Sequence, residues 1–112
     1  MADCLFCKIS SGEIPSDRVY EDEACFAFKD ISPAAPVHIL IVPKKHWASI
    51  DEADDESALG HLFMVARNLA RDLNLDQKGY RLVVNTGQDG GQSVEHLHVH
   101  LLGGRALGWP PG

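Results

Sequence analysis

The segment His96-Leu97-His98-Val99-His100-Leu101-Leu102 constrains this 112-residue chain more than any other stretch. Histidine alternates with aliphatic residues three times over, and an extended strand sends every second side chain to the same face. A strand from Val94 to Leu102 would therefore set three of the six histidines on one sheet face, at intervals of about 6.6 Å. Folding alone does not require so polar and titratable a face. Neutral imidazole acts near pH 7 as nucleophile, proton carrier or metal ligand, so catalysis or metal binding has to account for the row.

The other periodic segments supply the elements around this strand. Cys4 to Ser11 predicts a short helix that sets Leu5, Phe6 and Ile9 on adjoining faces and is stopped by Gly12 before Ile14-Pro15. Arg18 to Glu21 and Ala24 to Lys29 predict a hairpin around Asp22-Glu23. Val37 to Val42 is apolar apart from His38, as in a central strand, and Pro43 ends it. Leu59, Leu62, Phe63, Ala66, Leu69, Ala70 and Leu73 follow the three-and-four spacing of one helix face. The acidic run Asp51 to Glu56 before them suits the positive end of the helix dipole and calls for no metal. Tyr80 to Asn85 predicts a further strand. Only one long helix separates strands, so neighbours should be antiparallel, which gives an α+β five-stranded meander rather than a doubly wound sheet.

With 45% apolar and 23% charged residues, the chain fits one compact domain over 1–112. No run approaches the roughly 20 apolar residues of a membrane helix. The start Met1-Ala2-Asp3-Cys4 lacks the basic and apolar regions of a secretory signal, which predicts a cytoplasmic protein with reduced thiols. A net charge of −6, with no basic block beyond Lys44-Lys45, argues against a nucleic-acid polymer as partner. A single small anion remains compatible. The stretch Asn85-Thr86-Gly87-Gln88-Asp89-Gly90-Gly91-Gln92-Ser93 supplies glycines that let backbone amides approach a phosphate beside His98.

His96 to Leu102 resembles the His-φ-His-φ-His-φ-φ signature of the histidine triad superfamily, nucleotide hydrolases and transferases that work through a nucleotidyl-histidine. Asp30-Ile31-Ser32-Pro33, His38, Pro43-Lys44-Lys45-His46, Gly90-Gly91-Gln92-Ser93 and the ending Trp109-Pro110-Pro111-Gly112 extend the resemblance to its Hint branch, which hydrolyses purine nucleoside phosphoramidates. The resemblance implies that His98 is the nucleophile and that His100 holds the phosphate. It further implies that the His96 carbonyl pins the other ring nitrogen of His98, that His38 tunes the site and that Ser93 relays a proton to the leaving amine. Gly91 and Ser93 amides would stabilise the phosphoryl oxygens, with no catalytic metal. The base would lie against Leu5, Phe6, Ile9, Phe28 and Ile31, with Asp30 at the ribose and Asn85 near the phosphate and ribose. Two protomers would join through the long helix and a sheet edge, with Trp109 reaching toward the partner's site. AMP would be the product.

Cys4 and Cys7 form a C-x-x-C pair one helical turn apart. Some bacterial members of the superfamily pair such cysteines with the histidine of the Pro-Lys-x-His segment and the first triad histidine, here His46 and His96. Two thiolates and two imidazoles suit a closed structural zinc site. A metal-free histidine relay through His46 and His96 and a redox dithiol are the rival readings. For the function, the rivals are a dinucleoside polyphosphate hydrolase, a nucleotidyl transferase, and a nucleotide-binding regulatory module with little turnover.

Overall fold

The computed structural model describes residues 3–112. Its elements are a short helix α1 (Leu5–Ser10), strands β1 (Arg18–Glu21), β2 (Cys25–Lys29) and β3 (Val37–Pro43), the long helix α2 (Glu56–Asp72), and strands β4 (Arg81–Val83) and β5 (Val99–Gly103). Single 3-10 turns, Ile50–Glu52 and Leu75–Gln77, flank α2.

Local chemistry sets these boundaries. Asp55 caps α2 by accepting from the Ala58 amide at 3.1 Å, which leaves the rest of the acidic run near the positive helix end. Asn74, in the left-handed region at φ 60°, ends α2 as helix termini commonly do. Between β1 and β2, Asp22 Oδ1 accepts from the Ala24 and Cys25 amides, both at 2.8 Å, so the carboxylate itself closes the hairpin turn. Cys4 caps α1, its sulfur accepting from the Cys7 amide at 3.3 Å.

The sheet is antiparallel throughout, with strand order β1-β2-β3-β5-β4. The predicted α+β class holds, but the sheet is not a simple meander. The connection through α2 carries the chain from β3 to the outer edge, and β5 returns into the gap between β3 and β4. Strand β5 is thereby paired on both sides, with Val99 and Leu101 on the face toward α2 and His100 on the other.

Alternation along the strands divides the core. Ile39, Ile41, Val99 and Leu101 point to the face covered by Leu62, Val65, Ala66, Leu69 and Ala70 of α2. Leu40 and Val42, with Phe26 and Phe28 of β2, point to the opposite face, where Phe6 and Ile9 of α1 cover them. The Phe6 and Phe28 rings meet edge to face at a centroid distance of 5.6 Å. A six-residue helix has no stability of its own, so α1 exists because this apolar face holds it. The stripe on α2 differs from the expected one: Val65 is buried, while Phe63 and Leu73 are 37% and 45% exposed.

The largest departure from expectation concerns the triad. Strand β5 begins at Val99, not Val94, so His96 and His98 precede it. Their segment is bonded instead to the chain following β3, Leu97 N–H donating to the Trp47 carbonyl at 2.7 Å, and it turns on itself through His96 N–H to the Val94 carbonyl at 2.8 Å. Gln92 Nε2 donates to the Ala48 carbonyl at 2.7 Å. Strand β4 is short as well, Arg81–Val83 against the predicted Tyr80 to Asn85.

Candidate active site

Backbone groups, directly or through His38, determine the state of each imidazole in the triad. His98 is 4% exposed, and its Nδ1 lies 2.7 Å from the His96 carbonyl oxygen. A carbonyl only accepts, so Nδ1 carries the proton and Nε2 keeps a lone pair. Burial lowers the His98 pKa, against the raising influence of that hydrogen bond. The ring therefore stays neutral, with an available nucleophilic nitrogen.

A second chain of bonds fixes His100. The Ala34 amide donates to His38 Nδ1 at 3.0 Å, so the His38 proton sits on Nε2. That nitrogen donates to His100 Nδ1 at 2.9 Å, with Asp30 Oδ2 at 3.5 Å. His100 must then carry its proton on Nε2, a buried atom with no partner among the described residues. Burial pushes the His100 pKa down to about 4, with the neighbouring His98 and His38 acting in the same direction. An unpartnered buried N–H costs free energy unless a ligand accepts from it, and a phosphoryl oxygen would do so. One ring thus presents a lone pair and its neighbour a donor, with ring centroids 4.9 Å apart.

Both rings line a cavity of about 280 Å³. Leu5, Phe6, Ile9, Phe28 and Ile31 form its apolar walls, and Asp30 and Ser93 stand at its polar margin. Ile31 is 97% exposed, so it forms a lip rather than a floor. Asp30 also serves the turn, its Oδ1 accepting from the Ser32 amide at 2.8 Å. Ile14, Pro15, Ser16, Lys29, Leu40 and Val94 complete the lining without having been singled out as site residues in the sequence. Of these, Leu40 was legible, because it lies two residues from His38 on one strand face. A larger cavity of about 420 Å³ opens between β1, β3 and the end of α2. His38 borders it, but both its ring nitrogens are already bonded, so the chemistry belongs to the smaller cavity.

Three of the nucleotide-binding candidates stay outside this cavity. Asn85 follows β4 and is absent from the lining. The Gly91 amide is already donated to the Gln88 carbonyl at 3.1 Å. Trp109 is 81% exposed, with Arg81 over its ring at 6.0 Å. Gln92 has a role that the sequence did not reveal. Its Oε1 accepts from the Gly87 amide at 3.0 Å while its Nε2 binds the Ala48 carbonyl, so one side chain clamps the glycine loop to the segment after β3.

Cys4, Cys7, His46 and His96 converge on the other side of α1 from the cavity. His96 is fully buried, and its Nε2 donates to the Pro43 carbonyl at 2.8 Å, which turns the Nδ1 lone pair toward the sulfurs. Cys4 Sγ lies 3.3 Å from His96 Nδ1, Cys7 Sγ 3.4 Å from His46 Nδ1 and 3.6 Å from His96 Nδ1, and the two ring nitrogens are 3.1 Å apart. A tetrahedral zinc site has edges of about 3.4 Å between nitrogens and about 3.6 Å between nitrogen and sulfur. The four residues therefore fit such an ion to within a few tenths of an ångström and are able to coordinate a metal. In its absence burial and the neighbouring Cys4 raise the Cys7 pKa.

A further cluster, Asp22, Cys25 and His61, is of another kind. Asp22 Oδ2 accepts from Tyr20 Oη at 2.7 Å and from His61 Nε2 at 2.6 Å, separations of hydrogen bonds rather than of a metal's ligands. Burial opposes the Asp22 charge, yet bonds from Tyr20, His61 and two amides keep its pKa below the usual carboxylate range. This network ties α2 to the β1–β2 hairpin.

Among the described residues, no helix is long and apolar enough to cross a membrane. Residues 11–107 match the HIT domain family. An uncharacterized HIT-like protein of Synechococcus elongatus is 53% identical over 98% of this chain and 97% of its own length. A HIT family hydrolase from Legionella pneumophila superposes with a TM-score of 0.96 at 51% identity, covering 98% of this chain and 100% of that one. A histidine triad nucleotide-binding protein from Candida albicans superposes with a TM-score of 0.85 at 36% identity, covering 96% and 83%. The histidine-centred cluster of the present chain is suited to hydrolytic or nucleotidyl-transfer chemistry, and the chain belongs to the HIT family.

Proposed function

We propose that this chain, as one histidine triad domain over residues 1–112, is a purine nucleoside phosphoramidase of the Hint type. One observation carries the reading: the His98 lone pair and the orphaned His100 Nε2–H share a cavity that has an apolar wall and a carboxylate margin.

His98 Nε2 attacks the α-phosphorus of an adenosine phosphoramidate or AMP-lysine-like substrate, forming a P–N bond to the ring as the bond to the amine breaks. The amine leaves after taking a proton from the Ser93 hydroxyl, which is resupplied by an adjacent histidine, because an amide anion is a poor leaving group. His100 Nε2–H and the Ser93 amide hold the phosphoryl oxygens. Water then attacks the nucleotidyl-histidine and AMP departs. The purine packs between Leu5, Phe6, Ile9, Phe28 and Ile31, and Asp30 accepts from the ribose hydroxyls.

The metal in this reading is a structural zinc held by Cys4, Cys7, His46 and His96, tying α1 to the sheet and taking no part in bond cleavage. The protein works as a cytoplasmic homodimer. Exposed Phe63 and Met64 on α2 and the edge position of β4 support the pairing. Asn85 and Trp109 would reach a nucleotide only after rearrangement or across that dimer.

Hydrolysis of an adenosine phosphoramidate and a diadenosine polyphosphate, measured side by side, tests the assignment. The phosphoramidate should be cleaved with much the higher kcat/KM. Preference for the polyphosphate would assign the chain to another branch, and tight AMP binding without turnover of either would make it a binding module.

A further inference from the structure

Helix α1 has two working faces only six residues long. Cys4 at its cap and Cys7 in its first turn meet His46 and His96, while Leu5, Phe6 and Ile9 line the cavity. The Phe6 ring touches both systems edge-on, with centroids 5.9 Å from His96 and 5.0 Å from His98. His96 joins them a second time, because its Nδ1 faces the sulfurs while its carbonyl holds His98 Nδ1 at 2.7 Å. At the far end of α1, Arg18 donates to the Ile9 and Ser10 carbonyls. The cluster therefore anchors the end of α1 that Arg18 does not. Whatever orders that end orders the base wall and the acceptor that sets the nucleophile's tautomer.

We propose that the Cys4–Cys7–His46–His96 cluster and the nucleotide cavity are thermodynamically linked through α1 and His96, so that zinc and a nucleoside monophosphate tighten each other's binding. The cysteines and His46 are then positioning residues for the nucleotide, acting through α1 and His96. Linkage is reciprocal: the factor by which zinc strengthens AMP binding equals the factor by which AMP strengthens zinc binding. Conformational coupling of this kind ordinarily reaches about five-fold or more. The inference rests on the nucleotide reading of the cavity.

Four dissociation constants test it on the full chain: AMP with zinc-loaded and with chelator-stripped protein, by calorimetry, and zinc with and without saturating AMP, by competition with a chromophoric chelator. The expected result is a weakening of AMP by about five-fold or more on stripping, matched by the same factor for zinc. Equal AMP affinities in the two forms overturn the linkage while leaving the cavity assignment intact. Failure of the loaded protein to bind AMP overturns the cavity assignment itself, and failure to bind zinc overturns the linkage at its other end.

If stripping unfolds the domain, AMP would protect zinc merely by favouring the folded state, and Phe6→Ala separates the two routes. At equal ratios of AMP to its dissociation constant, protection through folding is the same in variant and wild type. Protection through α1 is smaller in Phe6→Ala. Identical protection would refute the route through α1.

Discussion

His100 ties stability to pH. Its imidazole has an ordinary pKa of 6.5 in the unfolded chain and one of about 4 in the fold, chiefly because burial disfavours its charge. Above pH 6.5 the ring is neutral in both states. As pH falls below 6.5 the unfolded chain takes up a proton that the folded chain refuses, and stability declines until the folded ring titrates near 4. The difference corresponds to roughly 3.4 kcal/mol in full, and to about 2 kcal/mol once partial solvent access to the ring is allowed for. Urea unfolding at a series of pH values should therefore show wild type losing about 2 kcal/mol more than His100→Asn between about pH 7.5 and 4. Groups remote from His100 are common to both proteins and cancel in the comparison, which therefore reads His100 together with its coupling to His98 and His38. Parallel stability curves would mean that burial does not keep His100 neutral, and the argument for its Nε2–H as an anion holder would fail with it.

Asp55→Ala should cost about 1 kcal/mol by removing the cap of α2, seen as a drop of about 5 °C in thermal unfolding with hydrolytic activity unchanged. At Gly90 an added Cβ would stand 2.3 Å from the Thr86 carbonyl oxygen and 2.8 Å from its nitrogen. Gly90→Ala should consequently displace the loop before Ser93 and raise KM, and unaltered steady-state kinetics would count against a role for that loop. Asp30→Ala should abolish most of the preference for a ribose over a 2′-deoxyribose substrate, and an undiminished preference would move the ribose elsewhere. Elemental analysis of protein purified without added metal should find about one zinc per chain, with acid or Cys4→Ser releasing it. Metal-free protein with both thiols titratable would favour the histidine relay.

Period-two alternation made much of this molecule readable beforehand. It assigned Leu97, Val99 and Leu101 to one side and the imidazoles to the other, while the nearly unbroken apolar run of Val37 to Val42 implied the buried pairing of β3. It misjudged where β5 begins, because a residue's neighbours across the sheet are not encoded in its own segment. Only the folded chain brings the Pro43 and Trp47 carbonyls against His96 and Leu97. The same limit hid the insertion of β5 between β3 and β4. The Ala34–His38–His100 bonds were hidden too, since a tautomer depends on partners 4 and 62 residues from His38. Cys4 and Cys7 were visible as a pair, but that His96 serves both their cluster and His98 appears only in three dimensions. His61 carried no sequence signal, lying on a helix surface 39 residues from the aspartate that binds it.

The nucleophilic role of His98 is tested most directly by single-turnover hydrolysis of an adenosine phosphoramidate with wild type and His98→Ala, alongside AMP binding by both. The cavity walls and His100 survive the substitution, so AMP affinity should stay within a few-fold of wild type while the rate of AMP release falls by several orders of magnitude. AMP release by His98→Ala at a rate near that of wild type would contradict the covalent mechanism.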